Sequence, residues 1–123
     1  MDILLVDDDR AMLASIGDFL KGRGHGLRTA SDGAEALRLM EAAPPDLVIS
    51  DIQMPEMDGI AFLKAVREQF PDLPVILMTG YATVNTAVAA LRNRAYDYLE
   101  KPIQLTELQA CMARVEGRSR PEG

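Results

Sequence analysis

The sequence predicts an α/β protein, a doubly wound parallel sheet of five strands with five helices, of the flavodoxin-like kind. Short continuous apolar runs alternate along the chain with segments in which apolar residues recur at helical spacing, and short loops join them. Such alternation is typical of successive βα units, whose parallel strands carry helices on both faces of the sheet. The expected strand order, 2-1-3-4-5, comes from the fold class and not from a single residue pattern.

Continuous apolar runs mark the strands, because a strand buried on both faces is apolar at every position. The second run is more polar than the others, which predicts a strand at an edge of the sheet. In chain order the predicted strands are residues 3–6, 27–30, 47–50, 75–78 and 96–100.

Apolar side chains three or four positions apart mark a helix after each strand. The glycines of "KGRGHG" end the first helix, "SD" begins the second, Pro44-Pro45 closes it, and "PDLP" ends the third. The apolar faces, helix by helix, consist of Met12, Ile16, Phe19 and Leu20; Ala34, Leu37 and Met40; Ile60, Leu63 and Val66; Val84, Ala87, Val88 and Leu91; and Leu105, Leu108, Met112 and Val115.

Length and composition suit one soluble globular domain: the chain has 123 residues, of which 48% are hydrophobic and 26% charged. The polar stretch 117–123 contains glycine and proline, so it is predicted as a linker or disordered tail that follows a domain over residues 1–116.

The formal net charge of −6 argues against direct nucleic-acid binding and against an anionic membrane surface as partner. No apolar run approaches the roughly 18–20 residues that span a bilayer. A single cysteine excludes an internal disulfide and fits a reducing compartment. The expected location is the cytoplasm.

Polar residues follow the predicted strands at the points where the strands end. The first strand runs into Asp7, Asp8 and Asp9, the third into Asp51, the fourth into Thr79 and the fifth into Lys101. Because parallel strands end at the same edge of a sheet, these side chains should converge, with the first and third strands as neighbours at the switch point of the topology.

Several carboxylates brought together repel one another, and a divalent cation relieves that repulsion. Oxygen ligands favour Mg²⁺, with Mn²⁺ as an alternative, and the sequence has no cluster of His or Cys that would argue for zinc. An acid, a cation, a hydroxyl and a lysine together suit acyl-phosphate chemistry. The plainer alternative is a solvated acidic loop, in which Asp9 caps the first helix.

Four motifs in order, "LLVDDD", "LVISDIQMPEMDG", "VILMTG" and "YDYLEKP", resemble the receiver domain of two-component response regulators. The resemblance covers about residues 2 to 116. It is strongest to receivers attached to transcription activators or to hybrid kinases. It implies a phosphoprotein in phosphorelay signal transduction and transcription regulation, whose phosphoryl donor is a phosphohistidine on a sensor kinase or on a phosphotransfer protein.

The resemblance also implies roles for the acids. Asp51 would accept the phosphoryl group. Magnesium would be held by Asp51, by Asp8 directly, by Asp7 mainly through water, and by the backbone carbonyl of Gln53.

The remaining roles concern the fourth and fifth strands. Thr79 and Lys101 would contact the phosphoryl oxygens, and Lys101-Pro102 would be a cis peptide. Thr79 and Tyr98 would be the switch pair, whose movement changes the surface made by helix four, strand five and helix five. That surface would control an output domain or partner and could support a phosphorylation-dependent homodimer. Such a domain is not an enzyme for free substrates, since it catalyses only its own phosphorylation and dephosphorylation.

Arg94 departs from the family pattern, which often has glycine before "AYDY". A glycine there would relieve a left-handed conformation at the helix end, so Arg94 predicts either a cost in stability or a different turn.

Three other functions stay open at this point. A magnesium-dependent phosphohydrolase would usually carry a second acid two residues after its nucleophile, where this chain has Gln53. A receiver-like module that signals without phosphorylation would not need the full set of acids. A nucleotide or flavin binder would be expected to have a glycine-rich loop after the first strand, which is absent.

Overall fold

The computed structural model of the chain describes residues 1–119. Five parallel strands form one sheet in the order β2-β1-β3-β4-β5, which confirms the predicted fold and strand order. The strands are β1 (Asp2–Val6), β2 (Gly26–Ala30), β3 (Leu47–Asp51), β4 (Val75–Thr79) and β5 (Asp97–Glu100). The second strand lies at an edge, as its polar composition predicts.

One helix follows each strand. The helices are α1 (Arg10–Gly22), α2 (Gly33–Ala42), α3 (Gly59–Gln69), α4 (Val84–Arg92) and α5 (Leu105–Ser119). Side-chain oxygens cap the first four at their N-termini, where the first backbone N–H groups lack helical partners. The capping residues are Asp9, Asp32, Asp58 and Thr83.

Alternate residues of the buried strands feed two apolar layers, one on each face of the sheet, as the two-residue period of a strand requires. One layer joins strand residues such as Leu4, Val48 and Leu77 to α2, α3 and α4, with Phe62 fully buried in it. The other joins the alternate residues of the strands to α1 and α5. The strands are therefore fixed from both sides, and their last residues are held in place at the edge of the sheet.

Each strand differs from its predicted range by one residue at one end, and the last helix ends later than predicted. The fifth strand begins at Asp97, one residue later than predicted, and the Tyr96 amide before it donates to the Val75 carbonyl at 2.7 Å. Helix α5 continues to Ser119, so residues 117–119 of the predicted linker or disordered tail are helical. The rest of that tail, residues 120–123, lies outside the described residues, and a domain boundary at residue 116 stays a prediction.

The turn from α4 into β5 is left-handed at Arg94, whose φ is 60°. The sequence predicts either a strained left-handed turn or a turn of another kind at this residue. The structure has the left-handed turn. The Arg67 guanidinium braces this turn, since it donates to the Arg94 carbonyl at 2.8 Å and to the Leu73 carbonyl at 2.6 Å.

Within residues 1–119, no helix combines the length and the apolar character that crossing a membrane requires.

Candidate functional site

Three acids meet where β1 and β3 end. Asp7 directly follows β1 and is fully buried, Asp51 is the last residue of β3 and is 4% exposed, and Asp8 is exposed. Each carboxylate has an oxygen within 4.8 Å of an oxygen of the other two. The parallel pairing of β1 with β3 causes this, since Val6 lies opposite Ser50 and the next residues are Asp7 and Asp51.

Lys101 joins the two buried acids. Its Nζ lies 3.1 Å from Oδ2 of Asp7 and 3.4 Å from Oδ2 of Asp51. Its backbone amide donates to the Thr79 carbonyl at 2.7 Å, and the Lys101-Pro102 peptide is cis, as the resemblance implied. The lysine ammonium is thus directed at the acids from the end of β5.

Burial raises the pKa of Asp51 above its ordinary 3.8, and the charge of Asp7 raises it further. Lys101 and the Gln53 amide oppose the rise without cancelling it. For Lys101 the balance is reversed: burial alone would lower its pKa, but the hydrogen bond to Asp7 and the charges of both acids raise the pKa above 10.5. The ammonium is therefore charged at neutral pH.

Gln53 and Thr79 flank the acids. The Gln53 amide donates to Oδ1 of Asp51 at 3.3 Å. Thr79 is fully buried and comes one residue after Met78, which lies opposite Asp51 in the register of β3 with β4. Its Oγ1 accepts the Tyr81 amide at 3.0 Å.

Tyr98 and Thr79 belong to neighbouring strands, but each hydroxyl has a different partner. Tyr98 lies opposite Leu77, two residues before Thr79, and its half-buried ring packs on the face that carries α2, α3 and α4. The Tyr98 hydroxyl lies 2.7 Å from Oγ1 of Thr86 in α4. The action of these two residues as a switch pair stays a prediction.

Asp9 does what the plainer alternative assigned to it. Its carboxylate accepts the amides of Ala11 and Met12 at the start of α1, and its own amide donates to Oδ1 of Asp7 at 2.9 Å. Asp7 and Asp8 are left to face Asp51.

The start of α3 is packed against the end of β3. The Gly59 amide donates to the Ile52 carbonyl at 2.7 Å. A Cβ at Gly59 would press on the Asp51 carbonyl oxygen and would come within 2.6 Å of Cα of Ile52. Glycine at this position therefore lets the loop after Asp51 close tightly, which fixes the backbone of the acid.

The donor set fits a magnesium ion. Mg²⁺ prefers octahedral oxygen ligands at about 2.0–2.1 Å and usually takes only one or two carboxylates together with water and phosphate oxygens. Here Asp7, Asp8 and Asp51 supply carboxylate oxygens within 4.8 Å of one another, and Asp8 is exposed, so one side of the cluster faces solvent. The ligand assignments among Asp7, Asp8, Asp51 and Gln53 stay predictions.

Thr86 is a residue that sequence reasoning missed. It contacts Tyr98 and closes a capping box with Thr83, in which each threonine side chain binds the backbone amide of the other. The available signal is the pair of threonines three residues apart before an apolar helical face, which is the spacing of a capping box.

The family profile described as "Response regulator receiver domain" matches residues 3–113. The chain is 43% identical to the transcriptional regulatory protein ZraR of Escherichia coli K12 over 112 residues, which make up 91% of this chain and 25% of that protein. It is 39% identical to the DNA-binding transcriptional regulator NtrC of the same organism over 112 residues, which make up 91% of this chain and 24% of that protein. The chain therefore spans about a quarter of the length of these relatives. The receiver domain of NtrX from Brucella abortus superimposes with a TM-score of 0.89 at 37% identity, covering 96% of this chain and all of that one.

Proposed function

Because the chain belongs to the family of response regulator receiver domains, we propose that Asp51 accepts a phosphoryl group from a phosphohistidine on a sensor kinase or phosphotransfer protein. The observation that supports this proposal most is the position of Asp51: a carboxylate at a strand end, between two further acids and within 3.4 Å of a lysine ammonium. In the transfer, an Asp51 oxygen forms a bond to phosphorus while the bond from phosphorus to the imidazole nitrogen breaks. The released imidazole nitrogen keeps the electron pair and can take up a proton.

Phosphoryl transfer needs position and charge neutralisation more than covalent chemistry from the protein. Mg²⁺, held by Asp7, Asp8, Asp51 and the Gln53 carbonyl, would neutralise negative charge on the phosphoryl oxygens. Lys101 would turn from the two carboxylates to a phosphoryl oxygen, and the Thr79 hydroxyl would donate to another. The buried strand ends keep these groups in place, so little ordering is required at the moment of transfer.

The signal would leave the domain through the surface made by α4, β5 and α5. Apolar side chains are exposed there, among them Val84 at 79%, Leu91 at 78% and Leu105 at 40%. Exposed apolar side chains that lie together suit a protein partner. We propose that phosphorylation changes this surface and thereby controls an output domain, a partner protein or a homodimer, in transcription regulation as the names of the relatives suggest. The chain would act as a signalling domain that promotes only its own phosphorylation and dephosphorylation.

Calorimetric titration tests the proposal. Beryllofluoride, a phosphoryl mimic, should bind the wild-type protein with one-to-one stoichiometry when Mg²⁺ is present, and Asp51→Asn should abolish this binding. Asp9→Asn is the matched control, because Asn caps a helix as well as Asp and residue 9 faces α1. Binding that survives in Asp51→Asn would contradict the proposal, as would continuous turnover of a free phosphate ester, which would favour a phosphohydrolase.

A further inference from the structure

Two hydroxyl groups join β5 to the first turn of α4. The Tyr98 hydroxyl and Oγ1 of Thr86 are 2.7 Å apart, the usual length of a hydrogen bond between hydroxyls. We propose that Thr86 is a positioning residue, which holds Tyr98 in this arrangement and thereby opposes the change that phosphorylation of Asp51 would bring. The second part of the proposal rests on the proposed function.

The capping box fixes the orientation of the Thr86 hydroxyl. Its Oγ1 lies 3.1 Å from the Thr83 carbonyl, to which it donates, and it accepts the Thr83 amide at 3.2 Å. A hydroxyl has one hydrogen and two lone pairs. Once the hydrogen is given to the carbonyl, Oγ1 can only accept from the two hydroxyls within reach, Oγ1 of Thr83 at 3.0 Å and that of Tyr98 at 2.7 Å. The Tyr98 hydroxyl is the nearer of the two and is then the donor. Thr86 is therefore a preoriented acceptor for Tyr98 and not a freely rotating hydroxyl.

A short loop connects this pair to the acids. Thr79 is the last residue of β4 and Thr83 caps α4, so only residues 80–82 lie between them. Within that loop the Tyr81 amide binds Oγ1 of Thr79 at 3.0 Å. A displacement of Thr79 would therefore be passed to the N-terminus of α4, where Thr86 holds Tyr98.

The direction of the effect follows from the contacts at the acids. A phosphoryl group on Asp51 would bring oxygens that compete for the Lys101 ammonium, now 3.4 Å from Asp51, and for the Thr79 hydroxyl. The arrangement seen here is thus the unphosphorylated one, and phosphorylation would shift the protein away from it. A hydrogen bond that stabilises this arrangement opposes phosphorylation, so its loss should favour the phosphorylated conformation.

A double-mutant cycle tests the contact itself. Thr86→Val removes the hydroxyl and keeps the shape of the side chain, Tyr98→Phe removes only the phenol oxygen, and both are combined in one protein. If the two hydroxyls bind each other, their effects on the urea unfolding equilibrium should combine to about fivefold less than the product of the single effects. Effects that multiply fully would overturn the proposal. The cycle also separates this contact from the loss of the capping box, which Tyr98→Phe leaves intact.

Titration with beryllofluoride in Mg²⁺ tests the opposition to phosphorylation. Thr86→Val and Tyr98→Phe should each bind about fivefold more tightly than the wild type, the double variant no more tightly than either, and Thr86→Ser about as tightly as the wild type. Unchanged or weaker binding by Thr86→Val, with a wild type that binds, would overturn the opposing role. A wild type that does not bind would instead contradict the proposed function together with that role, and the unfolding cycle would then decide the positioning role alone.

Discussion

The Nζ of Lys101 lies 3.4 Å from Oδ2 of Asp51, yet the pKa of Asp51 is raised. A lysine this close would ordinarily lower the pKa of an acid. Burial of Asp51 and the charge of Asp7 outweigh the lysine, whose ammonium is shared between the two carboxylates. Ionising Asp51 therefore costs the folded protein stability, and a ligand with positive charge would relieve that cost.

The stability of the fold should depend on pH through Asp51. A raised folded-state pKa means that the folded protein holds this proton to higher pH than the unfolded chain, so stability falls as pH rises from 3.8 through the raised pKa. Asp51→Asn cannot ionise and should be more stable than the wild type at pH 7, with the gain disappearing as pH falls to about 3.8. Urea unfolding in buffer without divalent cations measures the stability difference at pH 7 and its decrease in acid. A gain that persists unchanged in acid would contradict the assigned cause.

Magnesium should stabilise the folded chain, because an ion that binds the assembled acids does not find them assembled in the unfolded chain. At 100 times its dissociation constant the gain is about 2.7 kcal/mol. Thermal unfolding in magnesium chloride, against sodium chloride at equal ionic strength, measures it. Asp8→Asn should lose most of the gain and Asp9→Asn should keep it, since Asp9 caps α1. An equal gain in both variants would show that the ion acts elsewhere.

Gly59→Ala should destabilise the fold and disturb the acid site together. The added Cβ would collide with the backbone at Asp51 and Ile52, which cannot rotate away as a flexible side chain can. The expected loss in the free energy of unfolding is about 1–3 kcal/mol, the cost of overpacking a dense region. Gly22→Ala is the control, since nothing lies within 4 Å of its added Cβ. Similar stabilities for the two variants would contradict the close packing described at α3.

Arg94→Gly should stabilise the protein. Arg94 has a φ of 60°, a conformation that costs a residue with a Cβ about 1–2 kcal/mol and a glycine little. Part of this gain is offset because glycine has more freedom in the unfolded chain, so a net gain of about 0.5–1 kcal/mol is expected in urea unfolding. Arg94→Ala keeps the strain and should show no gain. If Ala stabilised as much as Gly, the strain would not be in the backbone.

Sequence alone predicts the convergence of Asp7, Asp51 and Lys101 well, because parallel topology decides which residues reach the edge of the sheet. The strand order follows from the fold class, and the edge position of β2 follows from its more polar composition. The helix cap that the plainer alternative assigns to Asp9 and the start of the second helix at "SD" are also present in the structure.

The details that sequence reasoning missed depend on the partner that a side chain finds after folding. The bond between Tyr98 and Thr86 requires a particular rotamer of each, and no spacing in the sequence links the two. The close contact at Gly59 depends on how the loop after Asp51 returns to the sheet. Helix α5 continues through Gly117 to Ser119, although glycine in a polar stretch predicts a linker, because a helix tolerates one glycine near its end.

Phosphoryl incorporation into Asp51 tests the central claim most directly. The protein is incubated with acetyl phosphate and Mg²⁺, and its intact mass is followed by mass spectrometry. The wild type and Asp9→Asn should each gain at most one phosphoryl group, which hydroxylamine removes because an acyl phosphate is labile to it. Asp51→Asn should gain none. Incorporation into Asp51→Asn at the wild-type level would contradict the assignment of Asp51 as the phosphoacceptor.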